Sequence, residues 1–519
     1  MAVPAEIRAV ERPKNTIVEN TGRIGPKQFI VRERAGCKYI KDGNPQPHNG
    51  SVIGYIHDGK FISVHDRCGQ SGPDYLSYGS ATFVKSVASD IVDDLKHVFD
   101  LNEALQIIAI ATLRIIKPGI TQKRYSTHYS RTYVCVHYPR IALSSNTVNS
   151  LLTRIGQDSN KRSEFFKRRI DAVSESHHIV IDGTLVQDTS TINDLSSFTR
   201  RSRVSKCKEI SILYAYDIEM NEPLCAQVFP GNCIDASAYS TFVQSNKITE
   251  GIIVADKGFP PSKIKGILDE FPKLHYLTPI KRNSAKIKKY SMHDYQGFIE
   301  NIDEDVLYKK QSIDGKKFLY SFKNSIKANN ESSTFMRKTR LKGDFELDKY
   351  HTMMERFGTI VFESDLDLSP RTIYLCYGDR WQLELVFRLY KRDIDLDKTQ
   401  CQNDFTVIGS EFINFIAILI TCRLAKIAES SGLLMEMSFA DLMDELSQIW
   451  RRVGAPPEAR TNDEYWAYQF KGAMHDMEAL GLSIPEPKPE PRKRGRPRTK
   501  PEFVGPKRRR GRPRKTAAE

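Results

Sequence analysis

Two short runs constrain this chain most. HHIVIDGTLV, from His177 to Val186, and GIIVADKGF, from Gly251 to Phe259, each pass through apolar, largely β-branched residues into an aspartate with a glycine close behind. Short apolar runs bounded by turn residues read as buried strands. EISILYAYDIE and EPLCAQVFPG read as further strands, and ASAYSTFVQSN and PSKIKGILDEF as helices between or after them, which makes a mixed α/β core. A carboxylate at the end of a central strand sits at the sheet rim, where α/β folds place their ligands. An aspartate before glycine also ends a strand simply by making a turn. A turn alone does not need an apolar run ahead of it, and here the arrangement occurs twice, so Asp182 and Asp256 are candidate site residues.

The rest of the 519 residues fall into blocks around this core. Residues 1–80 are rich in glycine, proline and short alternating runs, the pattern of small strands and turns. Residues 81–177 are helical, with one periodic block from about Thr82 to Ile116 and a second, SSNTVNSLLTRIG, capped at Ser145. The second block reads either as part of a DNA-binding helix-turn-helix or as a packing helix with few cations on its polar face. The core begins at 178–273, and 274–376 is strand-rich (HYLTPI, FLYSF, GTIVFES, TIYLCY). Helix returns over 377–484. FINFIAILITC, bracketed by Glu411 and Arg423, is shorter than the roughly 20 residues a bilayer needs and reads as a buried helix. The first thirty residues contain no signal-peptide pattern, so the expectation is a soluble protein. The nine cysteines form no CxxC pair, which argues for reduced thiols and against a structural zinc site.

The net charge of +14 is unevenly spread. Residues 485–519 hold 14 Lys/Arg against 4 Asp/Glu, whereas the first 484 hold 64 against 60. A basic, proline-rich tail of this kind cannot pack a core and is expected to be disordered. Its charge points to nucleic acid or an acidic membrane surface.

A third carboxylate lies in YGDRWQLELVFRLYK, Tyr377 to Lys391. On a helix of about 100° per residue, Tyr377, Arg380, Glu384 and Lys391 fall in an arc of roughly 60°. Arg380 and Glu384 could be no more than a surface ion pair at i, i+4. The remaining positions are apolar nearly all round, which implies burial, and a buried carboxylate needs a partner or a metal. Asp379 lies off the stripe. Three carboxylates from two strands and a helix could hold two divalent ions for an in-line phosphoryl transfer, with Arg380 and Lys391 facing the phosphates.

The spacing Tyr, two residues, Arg, three residues, Glu, six residues, Lys resembles the signature of DDE transposases from a large group of bacterial insertion sequences. DGT at 182–184, DKGF at 256–259 and FPGNCID at 229–235 are also similar to blocks of that family. The resemblance covers about residues 80–450. It implies an α/β, RNase H-like catalytic core, a mixed sheet flanked by helices, with a β-rich insertion and helical N- and C-terminal regions. It further implies Asp182, Asp256 and Glu384 as the catalytic, metal-binding triad, with two Mg²⁺ (or Mn²⁺) ions per active site. Tyr377, Arg380 and Lys391 would contact transposon-end DNA, and Lys281 and Arg282, in PIKRN, are further candidates for DNA contact or a solvated basic turn.

The tail departs from that family. RGRPR occurs twice, at Arg494, Gly495, Arg496, Pro497 and Arg498 and again at Arg510, Gly511, Arg512, Pro513 and Arg514. It resembles the AT-hook, which places Gly-Arg-Pro in the minor groove of A·T-rich DNA, where narrow grooves attract arginine. The alternative is a generic polycationic tail, or a nuclear-import signal in a eukaryotic host; the exact duplication of RGRPR favours the hook. The expectation is a transposase that nicks element ends, joins the freed 3′-hydroxyls to target DNA, acts as a homodimer on double-stranded DNA, and resides in a bacterial cytoplasm at the nucleoid. The alternatives are a non-catalytic, transposase-derived architectural protein working through its hooks, and a structure-specific nuclease on the same fold.

Overall fold

The computed structural model describes residues 2–25, 27–38, 46–63, 75–190, 192–198, 207–231, 236–254, 266, 268–379, 381–399, 401–456, 465–468 and 472–482. The N-terminal residues form an antiparallel four-stranded sheet of β1 (Thr16–Asn20), β2 (Phe29–Lys38), β3 (Gln46–His57) and β4 (Lys60–Ser63). Its core is small, centred on Val18, Val31 and Ile56. Next comes β5 (Tyr75–Ser77), whose partner lies near the other end of the chain.

The helical block divides into α1 (Gly79–Ser86), α2 (Ser89–Val98), α3 (Leu101–Ile116), α4 (Ser145–Gln157) and α5 (Ser159–Ile170). Asp100 caps α3 by accepting from the Glu103 amide. Ser144, one residue before the expected Ser145, caps α4 by accepting from the Thr147 amide. Four of the six cations of α4 and α5 pair with acids of neighbouring elements: Arg154 and Lys161 with Glu103, Arg168 with Asp94, and Arg169 with Glu222.

The large sheet has eleven strands. Its centre is β6 (His178–Asp188), flanked by β8 (Lys208–Asp217) with β7 (Ser197–Phe198) and β9 (Glu222–Pro230) beyond, and on its other side by β10 (Glu250–Val254) and β11 (Lys273–Pro279). β10 runs parallel to both β6 and β11, while β8 is antiparallel to β6. Helix α6 (Ala236–Ser245) connects β9 to β10. The sheet then continues through β12 (Gly297–Phe298), β13 (Val306–Ser312), β14 (Phe318–Asn324) and β15 (Thr359–Ser364), all antiparallel, with β15 joining the core at β11. The strand-rich insertion thus extends the core sheet rather than building a second one.

Two segments of the region expected to be strands and polar turns are helices. Residues 325–342 form helix α7 (Ser325–Lys342), which Asn324 caps by accepting from the Lys327 amide and Gly343 closes at φ 72°. TIYLCY lies in helix α8 (Pro370–Asp379). Its β-branched and aromatic residues favour a strand, but Ser369 accepts from the Thr372 amide and Pro370 opens the first turn, so local capping overrides propensity.

After α8 come α9 (Trp381–Arg388), the short β16 (Lys398–Thr399) beside the end of β6, and α10 (Asp404–Ser430). By length and composition α10 could cross a membrane, but it is packed inside the protein against α3, α4 and β9. A Cβ on Gly156 would strike the Phe405 carbonyl and one on Gly409 that of Leu152, so glycine permits the close α4–α10 crossing. Glu411, which the sequence suggests as an edge of the apolar run, is only 4% exposed. Finally β17 (Ile449–Arg452) pairs with β5 and with β18 (Trp466–Tyr468), bringing residues 75–77 beside residues 449–468.

Candidate active site

β6 is covered because its neighbours are apolar: Ile179, Val180 and Ile181 are completely buried. Asp182, the next residue, is half-buried, and its Oδ1 accepts from the Gly183 amide at 2.8 Å. It does not end the strand as the sequence suggests: pairing with β8 carries β6 on to Asp188, so Asp182 stands mid-strand. On the β10 side the described pairing reaches Val180 and resumes at Gln187 with β16, so Asp182 lies between two partners on that edge. Val254 of β10 pairs in parallel register with Val180. In chain order each valine stands two residues before an expected site aspartate, Asp182 and Asp256. Asp256 itself lies outside the described residues.

On the β8 side Asp182 pairs with Tyr214. Directly opposed residues share a face of the sheet, and the buried Tyr214 ring meets Phe387 edge-on at 5.7 Å and Tyr390 at 6.4 Å. Both belong to the stretch that also carries Glu384, so this segment lies over the face of β6 that bears Asp182. Burial pushes the Tyr214 hydroxyl well above its usual 10.0.

The helix does not match the expectation of burial all round. Leu383, Val386 and Tyr390 are buried, but Glu384 is exposed. Its carboxylate therefore carries no burial cost that would by itself demand a partner. The helix is also not continuous in type. Beyond Arg388 it widens into a π turn, Leu389–Asp393, marked by the Ile394 amide donating to the Leu389 carbonyl at 3.0 Å. Lys391 lies in that turn and is half-buried. Tyr377 packs its ring 4.5 Å from that of Phe362 on β15, while Arg380 lies outside the described residues.

Lys281 is exposed after β11. Its neighbour Arg282 forks onto Glu331 of α7, both bonds at 2.8 Å, and donates through Nε to the Thr359 carbonyl at 3.0 Å. That guanidinium ties the turn to α7. Both RGRPR motifs lie outside the described residues.

Histidines anchor the start of β6. His178 bonds Glu219 at 2.6 Å through Nδ1 and Cys376 of α8 at 3.0 Å through Nε2. Burial alone would raise the Glu219 carboxyl, but the bonds from His178 hold it below its usual 4.5. His177 pairs with Asp217 at 2.6 Å. The ligand atoms of His177, Asp217 and Glu219 lie within 4.8 Å of one another, a possible metal-holding group among the described residues. This group sits at the far end of β6, five residues before Asp182, or about 16 Å along an extended strand. It is a separate feature from the aspartate site.

Sequence reasoning missed a buried polar group behind the helix. Tyr390, fully buried, donates to Glu411 at 2.8 Å, and Asn414 donates to the same oxygen at 3.1 Å. Arg114 of α3 donates to Asn414 at 2.6 Å and to Tyr125 at 3.0 Å. The available signal was Glu411 and Asn414 themselves, polar residues three apart at the start of a long apolar helix.

Among solved structures the chain is similar to piggyBac transposase, seen by cryo-EM in a synaptic complex with hairpin DNA, at 12% identity and a TM-score of 0.38, over 72% of this chain and 80% of that one. No curated protein matches the chain. Residues 174–420, which contain Asp182, Asp256 and Glu384, match the family model of the transposase DDE domain, and that match supports a transposase.

Proposed function

We propose that this protein is a DNA transposase whose RNase H-like core cuts the ends of an insertion sequence and joins them to target DNA. The observation that carries the proposal is the placement of Asp182. Its strand runs parallel to β10, with Val180 beside Val254, and its cross-strand partner Tyr214 packs under the helix that bears Glu384. With Asp256 two residues beyond Val254 in the chain, three carboxylates from two strands and a helix would serve one site.

The donor set fits a hard divalent cation. Asp182 and Glu384 offer carboxylate oxygens, one half-buried within β6 and one on an exposed helix face open to water and to phosphate oxygens. Asp182, Asp256 and Glu384 would hold Mg²⁺ or Mn²⁺, which when bound supplies an activated water and stabilises the leaving oxygen. In the nicking step the water oxygen bonds to phosphorus, the P–O3′ bond breaks, and the departing 3′ oxygen takes a proton. The same hydroxyl then attacks a target phosphodiester: its oxygen bonds to the target phosphorus, the target's own P–O3′ bond breaks, and the departing target 3′ oxygen takes the proton. Lys391 and Arg380 would neutralise end phosphates, Tyr377 would flank the strand, and Lys281 would extend the contact. The two RGRPR motifs, at 494–498 and 510–514, would hold A·T-rich DNA near the protein without choosing the cut. A homodimer would synapse the two ends.

The test is a nicking assay on duplexes carrying the element's own ends, with Mg²⁺ present. Wild-type protein is expected to nick, and Asp182→Asn and Glu384→Gln to lose nicking while still binding DNA. Equal nicking by wild type and Asp182→Asn would remove the carboxylate site. A wild type that binds without nicking under any divalent ion would favour an architectural role.

A further inference from the structure

We infer that Glu411, acting through Tyr390, is a positioning residue that sets the π turn carrying Lys391. This deepens the proposed function, since it rests on Lys391 contacting end DNA.

The π turn interrupts an otherwise regular helix directly after the Glu384 segment. Such turns are rare and occur mostly as single bulges at functional sites, because i→i+5 bonding is less favourable than the α pattern. In an unbroken α-helix, Glu384 and Lys391, seven residues apart, would stand nearly in line about two turns apart. Widening the turn at Leu389 rotates Lys391 out of that line. Whatever holds the turn therefore decides where the lysine ammonium stands relative to Glu384.

Tyr390 is held at both ends. Its hydroxyl donates to Glu411 at 2.8 Å, and its carbonyl accepts from the Leu396 amide at 2.9 Å. Glu411 is itself fixed by Asn414, and Asn414 by Arg114, which also donates to the Ser410 carbonyl at 2.9 Å and the Ser410 hydroxyl at 3.1 Å. Arg114, Glu411 and Asn414 are each no more than 6% exposed. Stability alone does not call for such a group, because well-packed apolar residues of similar volume often do as well or better than buried ionic ones. What a directional, fully bonded network adds is one arrangement in place of several. Here it runs from α3 through α10 to the residue immediately before Lys391.

The test uses full-length protein and end-bearing duplexes, with nicking rate at saturating DNA and the salt dependence of binding as readouts. Tyr390→Phe keeps the ring and removes only the hydroxyl bond. It is expected to slow nicking about ten- to hundredfold, to reduce the salt slope by about one, and to leave the thermal midpoint nearly unchanged. Lys391→Ala should show the same losses, and Tyr390→Phe/Lys391→Ala should be no worse than Lys391→Ala alone. Glu411→Gln, which can still accept from Tyr390, should retain most activity, whereas Glu411→Leu should not. Multiplying losses in the double variant, or a wild-type rate in Tyr390→Phe, would overturn the positioning role. Asp182→Asn separates the two ideas: if it nicks as fast as wild type, the transposase reading fails, whereas a fast Tyr390→Phe beside an inactive Asp182→Asn overturns the positioning role alone.

Discussion

The two ends of the large sheet share one hydrogen-bonded surface but are held in different ways. At the core end β6, β8 and β10 are buried, and the long helix α10 packs over β9. At the insertion end Val306, Tyr320, Phe322 and Phe362 continue the main core, while a second, small cluster forms from Ile287, Met292, Leu319 and Val361, and α7 contributes no buried residue. There a polar fork, Arg282 on Glu331, joins the turn after β11 to α7. The core end can carry a half-buried carboxylate within β6 because apolar packing elsewhere holds the strands. The insertion end adds a polar tie to that packing, and α7 lies outside the core that surrounds β6.

Unequal losses of stability would sharpen that contrast, and equal ones would break it. Phe415→Ala removes a fully buried ring of α10 that packs 5.0 Å from Phe166 and is stacked on Tyr214 at 6.2 Å. It should cost about 3–5 kcal/mol in urea denaturation. Met292→Ala, fully buried but in the small cluster, should cost about 2 kcal/mol and leave end cleavage intact, because the core does not depend on it. Arg282→Ala loses a fork between groups about one-third exposed, so screening limits the loss to about 1 kcal/mol. A loss as large as that of Phe415→Ala would show that the two ends fold as one unit.

A subtler difference lies in pH. Burial pushes the Glu411 carboxyl above its usual 4.5, against opposing bonds from Asn414 and Tyr390 and the charge of Arg114, with Tyr214 and Cys401 also facing it. A carboxyl raised in the folded state holds its proton more tightly there than in the unfolded chain. Its contribution is complete below pH 4.5 and is lost as pH rises through the folded-state value. Glu411→Gln should therefore gain stability relative to wild type as pH rises above that point, measured by thermal midpoints across a pH series. The smallest effect is expected for Glu384→Gln. The side chain is exposed, so stability should change by less than about 0.5 kcal/mol even as nicking is lost.

Much of the core was legible because its signals are local. HIVID, EISILYAYD, EPLCAQVFP and GIIV are strands, and FINFIAILITC lies in a buried helix. TIYLCY has the residue preference of a strand but is helical, because the Ser369-Pro370 cap opens a helix ahead of it. Helix α7 was missed because its polar and charged surface carries no apolar stripe, and no residue of it is buried. The Tyr377–Lys391 spacing pointed to a single polar stripe, but periodicity could not reveal the π turn, which long-range bonds from Tyr390 to Glu411 accompany.

By itself the sequence determined the strand-forming runs, the acid that follows the apolar part of β6, the carboxylate stripe and a cationic tail set apart from a nearly neutral body. These follow from composition, period and spacing within a few residues. Only the tertiary structure decided that β10 lies parallel to β6 with Val254 beside Val180, that the insertion continues the core sheet, and that Glu384 faces open space. Strand register and burial are set by partners tens to hundreds of residues away, through contacts that no local pattern encodes.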